Sequence, residues 1–275
     1  MRALISADME GATGVTFPDD CISGTWQYAR FQPIFTDDVN AVATGFLDAG
    51  VDEVVVTEAH GSMRNLLLER LDPRVQMTTG RHKKYSMMEG IEERPELVAF
   101  VGYHAAAGTP GVLSHTFIGS GIYTTRLNGR LMSEGYLNSL LCAEYGGRLA
   151  VVSGDDLTCA DAHDYAPAAE CVAVKTAVDR YTARCLHPTT TFAMLHEAAS
   201  TSVDTAAVPE LPAAPYTCEV VFADTHWAAA ATMVPGVERV DDHTVQFTFD
   251  TVGEVYRCFA ASVRIAGGAR EQSYG

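Results

Sequence analysis

Three consecutive valines, Val54 to Val56, within the run Val51–Thr57, limit what this chain can fold into more than any other feature. A strand with one wet face alternates apolar and polar residues, whereas an unbroken apolar run belongs to a strand covered on both faces. Leu97–Tyr103 and Leu149–Ser153 are two more such runs, and Arg2–Ala7 opens the chain with a shorter one. Helical patterns fall between them. Thr36 is a candidate cap, Asp37 and Asp38 suit a positive helix end, and Val39, Val42, Ala43, Phe46 and Leu47 form a stripe that stops at Gly50. Gly135–Tyr145 is a second expected helix, ended by Gly146-Gly147. Ile122–Leu127, Asn128-Gly129 and Arg130–Ser133 read as a hairpin. Fully apolar strands alternating with helices imply an α/β fold, a mostly parallel sheet with helices on both faces.

The clearest shift in composition lies at Val203–Pro215, which holds Pro209, Pro212 and Pro215 and resists both helix and central strand. An α/β catalytic domain over residues 1–205 and a small α+β domain over 206–275 are therefore expected. In the latter, strands are expected at Cys218–Phe222 and Thr244–Phe249, with helices near Thr225–Met233 and at Val252–Ile265.

Polar residues stand where the apolar strands end. The first strand runs into Asp8 and Glu10, whose side chains share a face of extended backbone about 6–7 Å apart. The valine strand runs through Glu58 into His60, and the next through Tyr103 into His104. In open α/β sheets, ligands bind outside the carboxyl ends of the strands. Two carboxylates and two imidazoles there suit a divalent transition metal, and Glu134, at the start of a helix, would make a set large enough for two ions about 3.5–4 Å apart. Singly, each has a plainer reading: a strand-end histidine is usually hydrogen-bonded structure, and an acid in a first helical turn is commonplace. Their convergence from three strands favours the metal. Glu58 shares the face of His60 and is a candidate to orient its ring. His115 lies on an expected loop over the same edge, where a catalytic role competes with simple exposure. Asp155 and Asp156 also end a strand, with a helix cap the favoured reading. Histidines 82, 163, 187, 196, 226 and 243 have no such company and are read as structural.

Composition excludes several functions. Nineteen Lys and Arg against 35 Asp and Glu give a formal charge of −16, unsuited to nucleic acid or to an anionic membrane surface. No run approaches 18 apolar residues, and Met1–Asp8 meets charge too early for a secretory leader, so a cytoplasmic protein is expected. Seven cysteines without a CxxC spacing read as reduced thiols rather than as a disulfide framework. GxGxxG, Walker, HExxH and GxSxG patterns are all missing, which leaves a nucleotide site, that class of metallopeptidase and a nucleophile elbow unsupported.

Ser6-Ala7-Asp8-Met9-Glu10-Gly11, Glu58-Ala59-His60-Gly61, Gly102-Tyr103-His104-Ala105, Thr109-Pro110-Gly111-Val112-Leu113-Ser114-His115 and Ser133-Glu134-Gly135 together resemble the zinc-dependent D-aminopeptidases, members of which were often labelled dipeptide-transport proteins. The similarity runs on through Ser153-Gly154-Asp155-Asp156 and Ala173-Val174-Lys175 to Cys185-Leu186. The resemblance implies two Zn2+ ions per chain, with Asp8 bridging, Glu10 and Glu134 on one ion and His60 and His104 on the other. It also implies a catalytic role for His115, cleavage of short peptides with an N-terminal D-residue such as D-Ala-D-Ala, and a homo-oligomer of large ring form. From the residues alone, proton transfer or oxyanion stabilisation by His115 is as reasonable as nucleophilic attack. Two other readings compete: a dinuclear metal amidohydrolase or phosphoesterase acting on another small molecule, and a non-enzymatic peptide-binding protein, disfavoured by the early charge at the N-terminus.

Overall fold

The computed structural model describes residues 1–269. In chain order they form β1 (Arg2–Ala7), α1 (Pro18–Cys21), α2 (Trp26–Asp48), β2 (Glu53–Glu58), β3 (Val75–Thr78) and β4 (Leu97–Val101). The hairpin β5 (Ile122–Leu127) and β6 (Arg130–Leu131) follows, then α3 (Glu134–Glu144), β7 (Arg148–Asp155), α4 (Asp156–Tyr165), β8 (Glu170–Asp179), β9 (Thr182–Cys185) and α5 (Pro188–Thr205). The chain closes with β10 (Tyr216–Phe222), α6 (Thr225–Ala231), β11 (Glu238–Arg239), β12 (Thr244–Phe249) and α7 (Val252–Gly268).

Seven strands make the main sheet in the order β3-β2-β1-β4-β7-β8-β9, parallel throughout except for the antiparallel edge strand β9. The valine run behaves as its composition demands: Val54 and Val56 enter one apolar core and Val55 packs against the other. β1 divides the same way, with Ala3 and Ile5 on one side and Leu4 on the other. The first core holds Phe35, Val42 and Phe46 of α2 and Leu195 and Ala199 of α5; the second holds Leu137 and Leu141 of α3 and Tyr256 and Phe259 of α7.

A second, antiparallel sheet runs β11-β12-β10-β5-β6. Residues beyond 206 thus share a sheet with the hairpin at 122–131, which the main chain supplies before α3. Residues 203–215 are less detached than their prolines suggest: α5 continues to Thr205, and Ala207 bridges Leu149 of β7.

One helix starts earlier than its sequence pattern indicates. α2 begins at Trp26, capped by Thr25, whose hydroxyl accepts from the Tyr28 N–H at 3.1 Å. Thr36 is buried inside the helix and donates to the Gln32 carbonyl at 2.8 Å. Pro33 costs the helix an N–H, yet burial of Tyr28, Phe31 and Phe35 holds the extra turns against the sheet.

Strand order reverses between β1 and β4, the point where α/β sheets open a crevice. There the two strand exits touch backbone to backbone: the Asp8 N–H donates to Val101 O at 2.8 Å and the Gly11 N–H to Gly102 O at 2.7 Å. Gly102 has φ +73°, and a Cβ on it would lie 2.0 Å from Asp8 O. Gly102→Ala should therefore part the strand exits and lower stability by at least about 2 kcal/mol, from positive-φ strain plus the clash. Thermal unfolding monitored by circular dichroism measures this loss.

Candidate metal centre

Strand direction alone delivers the first three groups. Asp8 follows β1, His60 follows β2 and His104 follows β4, all at the carboxyl edge beside the reversal. Glu134 is the first residue of α3, whose cap is Ser133, the hydroxyl accepting from the Tyr136 N–H. His115 comes from the loop between β4 and β5, so five segments converge on one volume.

Each of the three imidazoles is held at one nitrogen by a backbone carbonyl and turned toward carboxylates at the other. His60 Nε2 lies 3.0 Å from Cys21 O, and its Nδ1 is 2.8 Å from Glu10 Oε2 and 3.5 Å from Asp8 Oδ1. His104 Nδ1 is 3.1 Å from Ala105 O, and its Nε2 is 3.5 Å from Asp8 Oδ2 and 3.4 Å from Glu134 Oε1. His115 Nδ1 is 2.8 Å from Leu113 O, and its Nε2 faces Glu10 Oε1 at 3.6 Å and Glu134 Oε1 at 4.0 Å. A carbonyl only accepts, so the nitrogen beside it carries the proton and the inward nitrogen is left as a donor of electrons. The rings of His104 and His115 stack at 4.0 Å.

Asp8, Glu10, His104 and Glu134 are buried. Burial raises the Asp8 carboxyl above its ordinary value, and the neighbouring Glu10 charge adds to this. Burial alone would raise Glu10 too, but the His60 ring beside it holds it well below the usual carboxylate range. Glu134 is likewise lowered, because His104, His115 and the Phe117 N–H outweigh its burial. His60 and His104 are pushed down by burial and up by Glu10, Glu134 and Asp8, and the rise wins strongly for both. Glu10 and Glu134 held ionised, Asp8 made avid for a proton by burial and by Glu10, and imidazoles made avid for positive charge describe a pocket that calls for cations, whether protons or metal.

The residues fit a metal. His104 Nε2 is buried without a hydrogen-bond partner among the described residues, and it points between two carboxylate oxygens. Its ligand atom groups with those of Asp8 and Glu134, and with those of Glu10 and His115, each set lying within 4.8 Å. Nearest neighbours pair Glu10 with His60 and Glu134 with His104, with the two oxygens of Asp8 facing one imidazole each. Cys21 Sγ also comes within that radius of Glu10 and His60, but burial raises its thiol well above the ordinary range and keeps it protonated. Above the acidic floor opens a cavity of about 610 Å³ whose walls include Met63, Met87, Phe117, Trp227 and Val263.

Residues 1–261 match the sequence profile of a peptidase family described as D-aminopeptidase. The chain belongs to the D-aminopeptidase family. It is 31% identical over 271 residues to a D-aminopeptidase of Bacillus subtilis (strain 168), a match covering 97% of this chain and 98% of the relative. A solved structure, the Zn-dependent D-aminopeptidase DppA from Bacillus subtilis, described as a self-compartmentalizing protease, superposes with a TM-score of 0.93. That structure is 31% identical, and the match covers 97% of this chain and 98% of that one. Family membership makes the chain a hydrolase of the peptidase class, and the α/β fold is shared.

All six residues singled out in the sequence, Asp8, Glu10, His60, His104, His115 and Glu134, meet in this one cluster. Glu58 does not orient His60. Its buried carboxylate accepts from the Asn65 and Leu66 N–H groups and from Asn65 Nδ2, and Asn65 Nδ2 in turn reaches His60 O at 2.8 Å. Asp155 caps α4 through the Thr158 N–H and also accepts from the Val112 N–H at 2.7 Å, which ties down the loop that carries His115. His82, read as structural, lines the cavity, with φ +70°.

Lys175 of β8 stands in one of the segments that carry the family resemblance, yet nothing in the sequence assigns it a role. Its buried ammonium donates to Glu10 O at 2.6 Å, Ala12 O at 3.0 Å and Val15 O at 2.6 Å, so three carbonyls of the loop after β1 share one cation. Lys175→Met keeps the bulk and leaves three buried acceptors unpaired, and we expect a loss of at least about 3 kcal/mol in urea unfolding, at about 1–3 kcal/mol per orphaned group.

Proposed function

We propose that this chain is a dinuclear zinc aminopeptidase that hydrolyses short peptides bearing an N-terminal D-residue, of the D-Ala-D-Ala type. The observation that carries the reading is the orphaned His104 Nε2 among buried carboxylates, together with two further imidazoles oriented the same way. Zinc itself is supported by the Zn-dependent relative and by a donor set of imidazole and carboxylate. Asp8, with one oxygen toward His60 and the other toward His104, is the residue suited to be shared between two ions; Glu10, His60, His104 and Glu134 complete the set. When bound, zinc polarises a peptide carbonyl and makes water a nucleophile at neutral pH.

The chain's own residues divide the remaining work. A free α-amine would meet the metal or a carboxylate oxygen that the metal leaves over, which selects a free amino terminus. His115, with Nδ1–H fixed on Leu113 O, presents a bare Nε2 to the cavity, where it takes a proton from the attacking water and passes that proton to the departing amine. Phe117, Met87 and Trp227 line the space above and keep the reacting amide away from bulk water. The preference for D-residues is taken from the family. A homo-oligomer belongs to this reading, on the strength of the self-compartmentalizing relative. So does a cytoplasmic setting: seven free cysteines, five of them buried, suit a reducing compartment, and no described helix is long and apolar enough to cross a membrane.

The test is hydrolysis of D-Ala-D-Ala beside L-Ala-L-Ala, with and without a chelator, on protein whose metal content is measured. We expect about two zinc ions per chain and chelator-sensitive cleavage of the D-peptide alone. Cleavage of neither peptide by zinc-loaded protein would move the site to another small-molecule amide or phosphoester. His115→Ala should lower kcat by about 10²–10⁴-fold, the ordinary range for losing a general acid or base; a variant near wild type would remove it from the reaction.

A further inference from the structure

The cavity is electrostatically two-sided. Its floor is acidic, yet its lining also includes two arginines, Arg81 and Arg264. In a chain with nearly twice as many acids as bases, neither guanidinium has a carboxylate within 4 Å among the described residues. Arg81 is fixed in place: its Nε and Nη2 donate to the same carbonyl, Gly61 O, at 2.9 and 2.7 Å. Gly61 directly follows His60, so this cation is tethered one residue from the cluster. A guanidinium has five N–H groups, and those of Nη1 together with the second of Nη2 have no partner among the described residues. Arg264 stands on α7 between the lining residues Val263 and Gly267, and its side chain makes no hydrogen bond among the described residues.

We infer that Arg81 and Arg264 bind the free C-terminal carboxylate of the substrate, so that the enzyme selects short peptides with both termini unblocked. This rests on the D-peptide reading above and adds to it a demand at the other end of the substrate. A dipeptide whose amino end meets the metal centre carries its carboxylate on the far side of the scissile bond, where the cavity offers the two arginines. Guanidinium suits the task because its planar fork matches a carboxylate, in pairs of charge-assisted bonds. An extended or amidated peptide would set a neutral group against the two cations and forfeit those bonds. Arg81 and Arg264 are thereby specificity-determining residues, not catalytic ones.

The experiment compares D-Ala-D-Ala with D-alanyl-D-alaninamide on zinc-loaded wild type, Arg81→Gln, Arg264→Gln and the double variant. Both peptides offer the same scissile bond and the same ammonium. Wild type should favour the free acid in kcat/KM by about ten- to a hundredfold, the span for losing bonds to a charged group. The preference should fall in each single variant and approach unity in the double, chiefly through KM. A merely structural role for Arg81 would depress both peptides alike and leave the ratio intact, which would overturn the inference. Equal use of acid and amide by wild type would also overturn it while leaving the D-peptidase reading standing. Cleavage of neither by wild type would bring down that reading and this inference with it.

Discussion

Three carboxylates cannot be buried side by side without positive charge between them, and much else in this molecule serves that demand. Asp8, Glu10 and Glu134 are all nearly inaccessible, where the attraction of water for an ion is lost and mutual repulsion is poorly screened. The imidazoles answer the charge from within the chain, and the carbonyls of Cys21, Ala105 and Leu113 ensure that they turn the correct nitrogen inward. The cluster is thus prepared for cations before any arrive, so little reorganisation is left for the moment of binding.

Holding such a cluster requires a scaffold that does not yield. The strand exits at Asp8 and Gly102 are joined by main-chain hydrogen bonds, with glycines where no side chain fits. Lys175 gathers three carbonyls of the neighbouring loop, Asp155 pins the loop of His115 to α4, and Glu58 folds the turn after His60 onto itself. These buried charges act on backbone rather than on the ligands themselves. The precision of the site therefore depends on polar groups that grip its backbone and stay away from its ligand atoms.

Much of this was legible in the sequence, and the limits have physical causes. Fully apolar strands told of a two-faced sheet because burial on both sides leaves no room for alternation, and Val54 to Val56 divide between two cores accordingly. Residues at strand ends told of the site because strand direction fixes where they emerge. The bounds of β5 and β12 followed from turn residues and alternation. The start of α2 did not, since Pro33 masks a helix that tertiary burial sustains. Nor did the roles of Lys175 and Arg81, because their partners lie on other segments and a single sequence carries no trace of contacts made across the fold. The shared sheet of β5, β6 and β10 was hidden for the same reason: its pairing joins Cys218 to Leu127, far apart along the chain.

That shared sheet has a consequence for the order in which the molecule becomes itself. The acids and imidazoles all lie between residues 8 and 134, whereas Trp227, Val263 and Arg264, which enclose the space above them, come from the last helices. A chain emerging from its N-terminus therefore finishes the chemical groups long before it finishes their enclosure, as domains formed during synthesis do when late segments complete them. Until α6 and α7 dock, the cluster lacks the part of its wall that Trp227, Val263 and Arg264 supply. Enclosure of the substrate thus depends on the last described helix, which ties the walls of the cavity to completion of the fold.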